Sequence, residues 1–142
     1  MADVLIKKKK GETLAIFMSS LEERIGCNRW ELHESSNYPG GEYFLCEVLC
    51  QKVIAHTNDL EGLDEFDFKI AFCRTGFCRN DEVLEGLADC VARRLASDGY
   101  EVVCSGNIGK IGAVGVKYTL DVTAGSLPWE RVRAEEWSDG KA

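Results

Sequence analysis

Apolar and polar residues alternate most regularly in residues 65–123, which predict a strand, a helix and a closing hairpin. The strand is indicated by four apolar residues at every second position, the period of a half-buried strand: Phe66, Phe68, Ile70 and Phe72. A helix is predicted over residues 81–95, where apolar residues recur every three to four positions. Two further strands are predicted, at residues 100–104 and 114–122.

The chain before residue 65 predicts a second helix and further strands. Residues 13–25 carry one apolar stripe at helical spacing, made of Leu14, Phe17, Met18, Leu21 and Ile25. Residues 28–33 and 43–54 are predicted as strands, and residues 3–6 as a short strand or an extended arm. Gly112 and Gly115, before and within the last strand, indicate a bulge or a bend.

Residues 43–54 are predicted as one long strand with two partly apolar sides. One side carries Tyr43, Leu45, Glu47 and Leu49. The other side carries Phe44, Cys46, Val48, Cys50 and Ile54, and Lys52 interrupts it. A strand of this kind needs cover on both sides. We therefore expect either a helix on each face or a neighbouring subunit.

These elements predict an α+β fold, with a mixed or mainly antiparallel sheet of about five strands and two helices packed on it. The 142 residues fit one domain with its own core. We expect this domain to span residues 1–123. Residues 124–142 have no clear periodicity and are interpreted as a C-terminal tail that docks on the domain or on a neighbour, or is loosely ordered.

The net charge of −7 argues against a general nucleic-acid-binding surface, which needs an excess of Lys and Arg. The one basic run, residues 7–10, is interpreted as a solvated segment, the alternative being a local phosphate or partner contact. No apolar run is long enough to predict a transmembrane helix. The start of the chain lacks the charge order of a secretory signal, so none is expected.

The sequence contains seven cysteines, an odd number that favours reduced thiols over a disulfide framework. Most of them fall on apolar faces, where a free cysteine packs as a small hydrophobic residue. Cys73 and Cys78 are four residues apart in a C-x4-C pair, which differs from the tighter pairs of most structural zinc sites. No metal and no cofactor are therefore predicted.

No catalytic motif is present. The glycine-rich residues 105–112 resemble a phosphate-binding loop only superficially, because the required spacing, the Ser or Thr after Lys110 and the following helix are all missing. The acidic residues 56–65 lack the calcium-binding EF-hand pattern and are interpreted as a solvated loop. The sequence therefore favours a protein that is not an enzyme.

The order helix, strand, strand, acidic loop, strand, helix and two strands resembles the tail-terminator and minor tail proteins of tailed phages. The resemblance covers residues 11–123 and is one of pattern and length. It implies a structural protein that forms a ring, expected to be a hexamer, which caps the tail tube and contacts the head–tail connector. It further implies assembly in the host cytoplasm, followed by a place in the virion tail.

The expected partners are copies of this chain and other tail or connector proteins, without a membrane and without sequence-specific nucleic acid. The residues predicted for the interfaces lie on the two-sided strand, the acidic loop, the connector before the second helix and the C-terminal tail: Tyr43, Leu45, Leu49, Asp59, Glu61, Arg74, Arg79, Trp129 and Trp137. The alternative hypothesis is a monomeric cytosolic binding module or a small thiol-dependent enzyme.

Overall fold

A computed structural model describes residues 2–25, 30–48, 51–60, 62–73, 81–108, 112–123 and 127–138, without the side chains of residues 128 and 129. Within these ranges the chain forms eight strands and two α-helices. In chain order they are β1 (Ala2–Lys7), α1 (Leu14–Ile25), β2 (Glu31–Glu34), β3 (Glu42–Val48), β4 (Gln51–Thr57), β5 (Phe68–Cys73), α2 (Asp81–Ser97), β6 (Glu101–Ser105), β7 (Val114–Leu120) and β8 (Val132–Ser138). Short 3-10 helices occur at Pro39–Gly41 and Pro128–Arg131.

All eight strands belong to one sheet, in the order β2-β3-β4-β5-β1-β6-β7-β8, and every neighbouring pair is antiparallel. The first strand of the chain therefore lies in the middle of the sheet. It pairs with β5 on one side and β6 on the other, so that Asp3 lies opposite both Ala71 and Ser105. Strand β1 joins two meanders, β2–β5 and β6–β8, which α2 connects along the chain.

Both helices pack on one face of the sheet. Most residues of the predicted stripe of α1 are buried there, although Ile25 is only partly buried. Phe17, Met18 and Leu21 of α1, and Leu84 and Leu95 of α2, are buried in the main core. Every second residue of the strands points toward the helices and completes this core. We call this side of the sheet the helix-covered face and the opposite side the open face.

Local interactions set the helix ends. The Thr13 hydroxyl accepts a hydrogen bond from the Ile16 N–H (3.3 Å), which caps the start of α1. After α2, Gly99 adopts φ +96°, and the Tyr100 N–H donates a hydrogen bond to the Leu95 carbonyl (3.1 Å). Glycine adopts this backbone conformation without steric cost, so Gly99 lets the chain leave the helix, two residues after its end at Ser97.

The prediction of two helices packed on a mainly antiparallel sheet is confirmed, but the predicted number of about five strands is wrong. The main error concerns residues 43–54, which form two strands rather than one. Strands β3 and β4 are an antiparallel pair in which Val48 lies opposite Gln51. Lys52 interrupts the predicted alternation, but no Gly, Pro, Asn or Asp lies between residues 48 and 51 to indicate a turn. The prediction that Ile54 shares a side with Phe44 is therefore wrong, because the reversal places Ile54 opposite Leu45.

Two terminal segments add further strands. Residues 3–6, interpreted as a short strand or an arm, lie within the central strand β1. Within residues 124–142, which the sequence sets apart as a tail, Val132–Ser138 forms the edge strand β8 and pairs with β7 along seven residues.

Candidate functional site

The open face is divided into a covered half and an accessible half. The loop between β4 and β5 folds over the centre of this face, where its side chains Leu63 and Phe66 are buried against Leu5 and Val103. On the β2–β5 side, Tyr43, Leu45 and Ile54 remain partly exposed. We call the surface formed by Tyr43, Leu45 and Ile54 the open patch.

The covering loop is held by Asn58. Its side-chain N–H group donates to the carbonyls of Leu63 (2.9 Å) and Phe66 (3.1 Å), and its side-chain oxygen accepts from the Leu60 N–H (3.1 Å). Asp59, Asp64 and Glu65 are partly or fully exposed. The acidic loop predicted from the sequence therefore has a solvated outer side, as expected, but also an apolar inner side that packs on the sheet.

An aromatic cluster borders the open patch. The ring of Tyr38 lies 4.5 Å from that of Tyr43 and 4.8 Å from that of His56, and the ring of His33 stacks on Tyr43 at 5.2 Å. The Pro-Gly-Gly turn places Tyr38 here, because Gly40 adopts φ +75° and lets the chain reverse over the sheet. Aromatic side chains of this kind provide large contact areas at protein interfaces.

A group of titratable side chains lies beside this cluster. The strand register places His56 opposite Lys69, and Asp3 opposite Ala71. Lys69 and Cys73 flank Ala71 on the same face. The four side chains Asp3, His56, Lys69 and Cys73 therefore share one region of the open face.

Burial favours the neutral forms of three members of this group, Asp3, His56 and Cys73. It raises the pKa of Asp3, against the attraction of Lys69, and raises the pKa of the Cys73 thiol. It also lowers the pKa of His56, although the His56 Nδ1–H donates to the Thr57 carbonyl (2.6 Å). The group is therefore suited to hydrogen bonding and packing rather than to nucleophilic chemistry, which needs a thiolate.

His56 should make stability depend on pH. Because its pKa is lower in the folded chain than the ordinary value of 6.5, the unfolded chain binds more protons over the interval between the two values. The stabilisation is complete above pH 6.5 and is lost as the pH falls toward the lower, folded value. We expect the free energy of unfolding, measured by urea denaturation between pH 7 and 5, to fall less steeply in His56→Asn than in the wild type. Equal slopes would contradict this assignment.

Burial raises the pKa of two of the described thiols, Cys73 and Cys104. Cys46 is buried, and burial, together with the negative charge of Asp89, raises the pKa of Cys104 to about 12. Among the described residues, no group of three or more His, Cys, Asp or Glu side chains is arranged to hold a metal ion. Cys78, the second cysteine of the C-x4-C pair, lies outside the described residues.

The structure places four of the predicted interface residues on one face of the sheet. Tyr43 and Leu45 belong to the open patch, and Asp59 lies in the adjacent loop, close enough to act electrostatically on Tyr38. Trp137 lies on the same face, in β8, with its ring 6.4 Å from that of Phe66. Outside the described residues lie Leu49, Glu61, Arg74, Arg79 and the side chain of Trp129.

Trp137 is not part of the open patch. Five strands separate β3 from β8, a distance of about 29 Å at the usual strand spacing, and the covering loop lies between them. The sequence alone did not indicate the contributions of Tyr38, His33, His56 and Asp3, since their proximity depends on the strand register. A partial signal was present at Asp3, a charged residue at the start of an apolar run.

In comparisons with known proteins, no protein-family model, no curated protein and no solved structure matches this chain. Neither of the helices in the described ranges has the length and apolar composition needed to cross a membrane.

Proposed function

We propose that the protein is a structural assembly protein of the tail-terminator type, in which copies of the chain form a ring. The observation that carries this proposal is the open patch. Tyr43, Leu45 and Ile54 form an apolar surface on a regular sheet, bordered by the rings of His33 and Tyr38, which both contact Tyr43. Rigid, partly exposed aromatic and aliphatic side chains are typical of the centre of a protein–protein interface.

The edges of the sheet are less suited to assembly than its face. Strand β2 has only four residues, with Glu31 and Glu34 at its ends, and β8 carries Arg133, Glu135 and Glu136. Short or charged edge strands discourage strand-to-strand pairing between molecules. The contact between copies therefore uses the open patch. In a ring it must be heterologous, with the patch of one copy against a different surface of the next.

The thiol-enzyme alternative has less support. The thiols of Cys73 and Cys104 are held in their protonated forms by burial, whereas catalytic cysteines need a lowered pKa. On the proposed function, contacts with other tail or connector proteins are made by surfaces of the assembled ring.

Replacing Leu45 with lysine should separate the copies without unfolding the chain. The new ammonium group would lie opposite Glu31 in the strand register, a favourable cross-strand pair, but it would place a charge in the centre of the contact. We expect native mass spectrometry to find a multiple of the chain mass for the wild type and the single-chain mass for Leu45→Lys.

The matched control is Leu32→Lys. Leu32 belongs to the same hairpin, is 56% exposed and lies on the other face of the sheet, opposite Phe44. This variant should keep the wild-type mass. A wild type that remains a single chain at all concentrations would refute the proposal, and a dimer would exclude the ring.

A further inference from the structure

A cleft on the helix-covered face has no role in the assembly described above. Its volume is about 300 Å³, and it lies between both helices and the sheet. Its walls are mainly apolar, with contributions from Leu21 and Ile25 of α1, Val53 and Ile70 of the sheet, and Leu87 and Val91 of α2. A volume of this size lies at the lower end of the range of small-molecule sites and corresponds to roughly ten water molecules in the liquid.

One charged side chain gives this cleft a polar preference. Arg94 lines it and is the one charged side chain among the described lining residues. Its guanidinium donates hydrogen bonds and accepts none, so it complements an acceptor or an anion. Trp30 also lines the cleft, but its indole nitrogen is fully buried.

The charges around Arg94 leave a positive surplus. Arg94 Nε donates to the carbonyl of Arg24 (3.1 Å) and lies 3.6 Å from Asp98 Oδ2. The same carboxylate oxygen pairs with Arg24 Nη1 at 2.6 Å. Two guanidinium groups therefore share one carboxylate. The Arg94 side chain is 48% exposed and has further N–H donors available for a second anion.

We infer that this cleft binds a small carboxylic acid with an apolar body of roughly ten non-hydrogen atoms. The body occupies the apolar walls between the helices and the sheet. The carboxylate is recognised by the guanidinium of Arg94, which lines the cleft. This binding site is independent of the open patch, which lies on the opposite face of the sheet, and of whether copies of the chain form a ring.

The test uses octanoate and 1-octanol as probes, because they share an apolar chain and differ in charge. We expect saturable binding of octanoate by isothermal titration calorimetry, with one site per chain and an affinity at least about tenfold higher than that of 1-octanol. In ¹H–¹⁵N spectra, octanoate should shift the indole resonance that disappears in Trp30→Phe.

Arg94→Gln should lower the octanoate affinity about tenfold and leave 1-octanol binding unchanged. The matched control is Arg93→Gln, because Arg93 is the neighbouring arginine of α2 and pairs with Asp89 (2.9 Å) rather than lining the cleft. This control should bind octanoate like the wild type. The inference is overturned if octanoate does not bind, if both probes bind equally, or if the two arginine variants behave alike.

Discussion

Replacing Phe17 with alanine should lower the free energy of unfolding by about 3–5 kcal/mol, the range for losing a fully buried phenylalanine side chain. Phe17 is completely buried. Its ring stacks on Phe68 at 4.8 Å and meets the edge of Tyr100 at 5.6 Å, so it ties α1 to β5 and to the residue that directly precedes β6. Because whole domains are stable by only about 5–15 kcal/mol, this single change removes a large part of the total. Equilibrium denaturation in guanidinium chloride measures it.

The control for this change is the preceding residue. Ile16 lies on the same helix but is 55% exposed, and alanine is the better helix former. Ile16→Ala should therefore change the free energy of unfolding by less than about 0.5 kcal/mol. Losses of similar size in the two variants would show that the packing of Phe17 is not what stabilises the helix on the sheet.

Replacing Gly115 with alanine should destabilise the protein by at least about 2–3 kcal/mol, as an overpacked site does. A Cβ atom at this position would lie 2.2 Å from the carbonyl oxygen of Cys104 and 2.9 Å from the Cβ of Ser105. Neither distance is possible in a folded chain, and the nearest atom belongs to the backbone, so β6 and β7 would have to move apart. Thermal denaturation followed by circular dichroism should show a marked fall in Tm.

Gly86→Ala is the control, and it is expected to change the free energy of unfolding in the opposite direction. Gly86 lies within α2, and a Cβ atom there would meet nothing within 4 Å. The substitution should stabilise the protein by about 0.5–1 kcal/mol, because glycine is a poor helix former. If both alanine variants lost stability to the same degree, the close approach of β7 to β6 would not be the cause.

The helices and several strands could be predicted because their burial is periodic. Helix α1 has one buried side, and its buried residues recur with the period of the helical turn: Leu14, Phe17, Met18 and Leu21. Strand β8 has no such signal: it is an edge strand with five of its seven residues exposed, so neither side of it needs to be apolar. Its place depends on pairing with β7, which the local sequence does not encode.

Part of the candidate site could also be predicted. The alternation of residues 43–54 predicted that Tyr43 and Leu45 share one side, and the structure places both on the open face. A helix on each face is wrong, because both helices pack on the opposite face, and cover by a neighbouring subunit stays a prediction. The sequence could not show that this segment reverses, which places Ile54 opposite Leu45. Nor could it show that Tyr38 and His56 meet there. The two residues are 18 positions apart in the sequence, and only the pairing of strands β2, β3 and β4 brings their rings together.

The central position of β1 also bears on how the chain is made. This strand leaves the ribosome before both of its partners, and Asp3 pairs with Ser105 only after α2 and β6 have been synthesised. At about 5–20 residues per second, roughly 100 further residues take about 5–20 s. Throughout that interval an apolar strand has an unpaired edge, a state that promotes association between nascent chains. Slower translation would lengthen this exposure, so the yield of folded protein should depend on elongation rate and on chaperones that bind the emerging segment.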